Sequence, residues 1–159
     1  MGLILFNKNA GNKVIEIEKT YINQSEEASI RKREIESSAA KVLTEMITDL
    51  QLQVENLNIF IDRDVAVITG LACNQTTREK VVLVVGNSKG IAAVEDYMTV
   101  ENEAPVAQFY TVVSGDTLRT IAKMYYGNDR EYETLFDANK PMLNHPQKIY
   151  QGQVLRIPA

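Results

Sequence analysis

A single cysteine, Cys73, excludes an intramolecular disulfide, so this 159-residue chain lacks the covalent staples of small secreted domains. Histidine is as scarce. His145 is the only one, it precedes Pro146 in a polar stretch, and no cysteine lies near it, so spacing suggests neither a metal cluster nor a Cys/His dyad. Positive charge is also short: 17 Lys and Arg against 21 Asp and Glu leave a net charge of -4, with a pI near 5.1. Such a surface has no sustained positive field to collect phosphates, which argues against a nucleic-acid partner. The one basic cluster, Arg31-Lys32-Arg33, is cancelled by Glu26, Glu27, Glu34 and Glu36 and reads as the solvated face of a helix.

Long apolar runs are missing too. None approaches the roughly eighteen residues of a transmembrane helix. The opening Met1-Gly2-Leu3-Ile4-Leu5-Phe6 gives way to Asn7-Lys8-Asn9 without a basic leader or a small-residue cleavage site. Position six is Phe, where a myristoylation motif carries Ser or Thr. Neither export nor a membrane partner is expected, and the expected location is the cytoplasm. Whether Leu3, Ile4, Leu5 and Phe6 are a docking strip, and whether residues 1–25 form a helix or a clasp, is left open by their pattern.

What is present is enough for a core: 45% of residues are apolar, sufficient for one ordinary domain or two small ones. From Glu26 to Leu52 the residues Ile35, Ala39, Val42, Met46, Ile47 and Leu50 recur at steps of three and four, predicting an amphipathic helix. The period then changes. Val54, Leu57, Ile59 and Ile61, the triplet Asp62-Arg63-Asp64, then Val65, Val67 and Thr69 fit a hairpin. Asn74-Gln75-Thr76-Thr77 supplies capping candidates, and Thr76 and Glu79 have capping-box spacing, for a second helix through Val81, Val82, Val84 and Val85, which must stop at Gly86. After the turn Gly86-Asn87-Ser88-Lys89-Gly90, Ile91 to Val100 reads as a closing strand. Glu103 to Ala107 is aperiodic, contains Pro105 and suits a linker. Beyond it Leu118, Ile121, Ala122 and Tyr125 make one buried stripe, Ser114 or Asp116 can cap that helix, and Gly127 ends it. Tyr132, Leu135, Phe136 and Asn139 mark another short helix, and Val154, Leu155 and Ile157 a returning strand.

No residue set makes a catalytic site, and the chain is expected not to be an enzyme. Cys73 precedes a helix start but reads as a small buried hydrophobe. Asp62 and Asp64 flank an arginine in a hairpin turn without the other positions of a calcium loop. Glu95 and Asp96, adjacent on a strand, point to opposite faces. The glycine turn differs in kind. By itself it is a helix stop, but a chain reversing sharply at a helix C-terminus can aim several carbonyl oxygens into one space. Neutral carbonyls suit a large, weakly hydrated monovalent cation, whereas divalent ions usually demand carboxylates.

The run from Phe109-Tyr110-Thr111-Val112 through Ser114-Gly115-Asp116-Thr117-Leu118, Tyr126-Gly127 and Ala138-Asn139 to Gly152-Gln153-Val154-Leu155-Arg156-Ile157-Pro158 resembles the LysM module. The order helix, strand, strand, helix, strand over residues 26–102, with Ile91-Ala92-Ala93-Val94-Glu95-Asp96 after the turn, is similar to the BON domain. The resemblances imply an α+β chain of two small domains: an N-terminal segment 1–25, a BON-like domain 26–102, a linker 103–107 and a LysM domain 108–159. Met1-Gly2-Leu3, Asn9-Ala10-Gly11, Val84-Val85-Gly86-Asn87, Gly90-Ile91, Phe136-Asp137-Ala138-Asn139-Lys140-Pro141-Met142-Leu143 and Lys148-Ile149-Tyr150 together resemble the cytoplasmic BON–LysM potassium-binding proteins of enteric bacteria. That resemblance implies a monomeric sensor or buffer that becomes compact on taking up K+. It places the ion among the main-chain carbonyls of Asn7, Ala10, Gly86, Ser88 and Ile91. The alternative implied by LysM alone is an adaptor for peptidoglycan or other N-acetylglucosamine polymers, held by Gly115, Asp116, Thr117 and Leu118 with Ile149 and Tyr150. Gln151 then stands where many such modules carry proline.

Overall fold

A computed structural model describes residues 3–11 and 26–159. The open question about residues 1–25 therefore falls largely outside the described residues; the part inside is informative. Leu3–Leu5 is a strand, β1, and it is followed by α1 (Glu26–Asp49), β2 (Val54–Asp62), β3 (Val65–Ala72), α2 (Gln75–Gly86), β4 (Ala93–Asp96) and β5 (Thr99–Val100). The second unit holds β6 (Gln108–Thr111), α3 (Leu118–Tyr126), α4 (Tyr132–Ala138) and β7 (Val154–Ile157). The expected α+β class and the helix, strand, strand, helix, strand order are both present.

The first sheet runs β1-β4-β3-β2, with β5 also pairing β3. Strands β2 and β3 form the expected hairpin, turning at Arg63 with a positive φ of 58°. Alternation sets its faces: Ile59 and Ile61 are buried while Phe60 between them is 59% exposed. Ala39, Leu43 and Ile47 of α1 and the valines of α2 close the core over the inner face, with Ala66, Ile68 and Val94 beneath them. The stretch Ile91 to Val100 is not one strand. Residues β4 and β5 keep a common parallel register on β3, with Ile68 opposite Asp96 and Leu71 opposite Thr99. Between them Tyr97 N–H donates to the Ile68 carbonyl and Met98 N–H to the Asp96 carboxylate, which diverts the chain from the ladder for two residues.

Helix α2 explains its own sequence. Ten of its twelve residues are buried, so it has no solvent face, and Val81-Val82-Leu83-Val84-Val85 is what a helix packed on all sides requires. Its N-cap is Asn74, whose side chain accepts the Thr77 N–H at 2.8 Å. The expected Thr76/Glu79 capping box does not form, because both side chains turn to Arg156 of the second unit.

In that unit β6 and β7 pair antiparallel, and Leu118, Ile121, Ala122, Leu135, Leu155 and Ile157 make its core. The cap of α3 is Thr117, in a capping box with Thr120, rather than Ser114 or Asp116. Asp116 is committed elsewhere: its carboxylate accepts the Tyr110 hydroxyl at 2.6 Å and the Val113 N–H at 3.0 Å. Tyr125 is not in the buried stripe but 38% exposed, packed edge-on against the Tyr110 ring with centroids 5.7 Å apart. Gly127 caps the helix with φ 72°, as its position predicts. Among the described residues no helix is long and apolar enough to cross a membrane.

Candidate functional site

Helix α2 unwinds into the glycine turn in three steps. Asn87 N–H donates to Leu83, Ser88 N–H to Val85, and the Ser88 hydroxyl reaches back to the Val84 carbonyl at 2.9 Å. Ile91 N–H then closes on the Ser88 carbonyl at 3.2 Å. A second turn faces this one. After β1 pairs with the edge of β4, Phe6 N–H donates to Ala92, and Ala10 N–H closes on the Asn7 carbonyl at 3.1 Å. One bond clasps the two turns together: Gly90 N–H to the Lys8 carbonyl at 2.7 Å. The Lys8 ammonium pairs with Asp64 at 3.3 Å and so fixes the same segment to the hairpin.

Two glycines make this approach possible. The Phe6 ring lies directly on Gly86, where a β-carbon would overlap it. Gly11, at φ 89°, passes so close to the Asn87 carbonyl oxygen that a β-carbon would collide with it. The segments carrying Asn7, Ala10, Gly86, Ser88 and Ile91 are thus adjacent; Gly86, Ser88 and Ile91 are buried, Ala10 is half-buried and Asn7 is exposed. A carbonyl oxygen has two lone pairs, so Asn7 and Ser88 each keep one beyond the turn bond. No group of three His, Cys, Asp or Glu able to hold a metal occurs among the described residues. Asp62 and Asp64 face different lysines, Lys32 and Lys8, and do not act together. The main-chain carbonyls of the two turns are neutral oxygens, which fit a weakly hydrated monovalent ion better than a divalent one.

The second unit closes over the same turn. Asn87 donates from Nδ2 to the Val154 carbonyl at 2.8 Å and accepts the Val154 N–H on Oδ1 at 2.7 Å. The Tyr150 hydroxyl donates to the Asn87 carbonyl at 3.4 Å, and burial raises the Tyr150 pKa, which keeps that donor protonated. Gly152 lies against Asn7 and Ala10. Further up α2 the Glu79 carboxylate accepts from Arg156 Nε at 2.5 Å, from Gln75 Nε2 at 2.9 Å and from the Ala107 N–H at 3.0 Å. Phe109 and Met142 of the second unit pack on the first core. Residue patterns gave Glu79 only a capping role and assigned none of its own to Asn87, Arg156 or Gly11; a charge within an otherwise apolar element was the available signal for Glu79 and Arg156.

The residues of the glycan alternative do not form one open wall. Gly115 and Thr117 are exposed, but Leu118 is 2% exposed and belongs to the core, and Ile149 packs against that core. Tyr150 is turned toward the glycine turn. The neighbouring Tyr110 has its pKa pushed up to about 12, chiefly by its bond to Asp116 and then by desolvation. A folded phenol that holds its proton more tightly than an unfolded one contributes its full stability below pH 10.0 and loses it as pH rises toward about 12. The urea midpoint of the chain is therefore expected to exceed that of Tyr110→Phe at neutral pH, with the difference vanishing across that window. A pH-independent difference would refute the role of this bond.

The remaining candidates are structural. His145 is exposed and accepts the Gln147 N–H on Nδ1. Cys73 is half-buried, with Sγ 3.3 Å from the Thr77 hydroxyl. Asp96 is buried against Arg78 at 2.8 Å, while Glu95 accepts from the Tyr97 hydroxyl, so the two carboxylates are separated as expected.

Residues 110–158 match the model of the LysM domain family. An uncharacterized protein of Deinococcus radiodurans is 45% identical over 50 residues, which cover 31% of this chain and 19% of that protein. The potassium binding protein Kbp of Escherichia coli O6:H1 is 40% identical over 158 residues, covering 99% of each chain. An identity of that level over nearly the whole of both chains means that the chain belongs to the family of the potassium binding protein Kbp.

Proposed function

We propose that this chain is a non-enzymatic, cytoplasmic potassium-binding protein, a monomeric sensor or buffer that becomes compact when the ion is bound. The main-chain carbonyls of Asn7, Ala10, Gly86, Ser88 and Ile91 hold K+, and no nucleic acid or membrane is a partner. The observation that carries this reading is the clasp between the two turns, Gly90 N–H to Lys8 carbonyl, which holds the N-terminal turn against the turn at the end of α2. The name of the E. coli relative, 40% identical over 99% of each chain, supports it. Neutral carbonyls replace the water shell of a large ion at little loss, whereas a small ion gives up more hydration than such a cage returns.

Stabilisation by alkali ions tests it. At a potassium concentration about one hundred times the dissociation constant the fold should gain roughly 2.7 kcal/mol. Rubidium and caesium should act in the same direction, and sodium and magnesium should do little at equal ionic strength. Identical melting curves in KCl and NaCl would refute the reading. The LysM match keeps a second reading, binding of peptidoglycan fragments, in view. Against it, the Tyr150 hydroxyl is engaged with Asn87, so chitin oligosaccharides are expected to leave the melting curve unmoved.

A further inference from the structure

We propose that Asn87 is the positioning residue through which occupancy of the glycine turn is passed to the LysM unit; this rests on the potassium reading above. Asn87 stands between Gly86 and Ser88, two of the residues whose carbonyls are assigned to the ion. Its side-chain amide does not cap the turn. It reaches β7 and makes both bonds that a neighbouring strand would make, donating to the Val154 carbonyl and accepting the Val154 N–H. Val154 pairs with Thr111 on its other side, so the Asn87 amide occupies the outward-facing backbone groups of a short strand.

The same residue holds two further LysM segments. Its backbone carbonyl accepts the Tyr150 hydroxyl, and Nδ2 lies 3.2 Å from Met142 Sδ. Three separate pieces of the second unit thus converge on one residue of the turn. Drawing the Gly86 carbonyl toward an ion sets the peptide plane that precedes the Asn87 Cα, and drawing the Ser88 carbonyl fixes the chain one residue beyond it, so together they restrict the direction of the Asn87 Cβ. A two-point amide pair tolerates little misdirection, because hydrogen bonds weaken steeply off line. An occupied turn therefore holds the amide in register with Val154, and a turn without the ion lets it stray. A separate polar link between the units, Glu79 to Arg156, leaves α2 eight residues earlier, about 12 Å away along the helix axis at 1.5 Å per residue. That link joins the units whether or not the turn is filled.

Coupling of this kind is reciprocal: if docking at Val154 favours the ion, loss of docking must weaken ion binding by the same factor. The test compares the full chain with Asn87→Ala and Asn87→Asp, by calorimetric titration with KCl and by small-angle scattering in KCl and NaCl. In Asn87→Ala potassium should still bind through main-chain oxygens, with affinity lowered about tenfold, and the KCl-dependent contraction should disappear. Asn87→Asp, nearly isosteric, should behave the same way, because one carboxylate oxygen must face the Val154 carbonyl; it keeps the test decisive if the alanine variant does not fold. A merely structural role would lower the melting temperature equally in KCl and NaCl and leave the potassium-induced gain intact, and that result would overturn the proposal. So would a variant that contracts like the parent, or one that folds but takes up no potassium at all. An unsubstituted chain that ignores KCl would instead sink the potassium reading itself, and this proposal with it.

Discussion

Removal of residues 1–11 is expected to abolish potassium uptake while the LysM unit stays folded. Those residues supply the Asn7 and Ala10 carbonyls, the Lys8 carbonyl that clasps Gly90, and β1, whose Leu3, Ile4 and Leu5 pair with Glu95, Val94 and Ala93. Since truncation also bares the β4 edge, a gentler change isolates the effect. Gly11→Ala adds one carbon, yet that carbon meets a backbone oxygen, Asn87 O, which no side-chain rotation can clear. The backbone angle, φ 89°, is itself unfavourable for alanine. Together these costs are on the order of 3 kcal/mol, enough to weaken potassium binding about a hundredfold. Calorimetric titration reads the affinity, and the amide spectrum of residues 108–159 reports whether the second unit is intact. Uptake at full affinity by either variant would remove the N-terminal turn from the site.

Glu79→Ala should destabilise the chain by roughly 3–5 kcal/mol. Its carboxylate is 4% exposed and the Arg156 side chain 11%, so deleting the acid leaves a guanidinium in the interface with nothing opposite its charge. The Gln75 amide and the Ala107 N–H lose their acceptor as well. The direction of the effect comes from desolvation rather than from an unusually strong pair. Replacing both partners, Glu79→Leu with Arg156→Met, should accordingly recover most of the loss, because a packed apolar pair costs no charge burial. Urea midpoints of the two single variants and the double variant form the cycle that checks this. Proteolysis within the exposed 103–106 stretch should accelerate in Glu79→Ala and return toward normal in the double variant. Equal midpoints for Glu79→Ala and the parent would mean that the contact does not hold the units together.

The sequence by itself determined the elements whose cause is local. Steps of three and four from Ile35 to Leu50 are a helix in any surroundings that bury one face, alternation around Ile59 and Ile61 is a strand, and Gly127 ends α3 because it accepts a left-handed angle. The order of LysM anchors was readable for the same reason, as each is a turn, cap or stripe fixed by near neighbours. Choices between adjacent polar residues were not. Asn74 rather than Thr76 caps α2, and Thr117 rather than Asp116 caps α3, because Thr76 and Asp116 have partners that only folding brings to them, Arg156 and Tyr110. The tertiary structure alone decided what surrounds the glycine turn. Asn87 and Val154 are 67 residues apart, and Glu79 and Arg156 are 77 apart, distances at which no periodicity survives along the chain. Backbone carbonyls carry no sequence signature at all, since every residue has one; what makes Asn7, Ala10, Gly86, Ser88 and Ile91 a candidate site is that two short turns, eighty residues apart, are held against each other by a single main-chain bond and the close approach of Gly11 and Gly86.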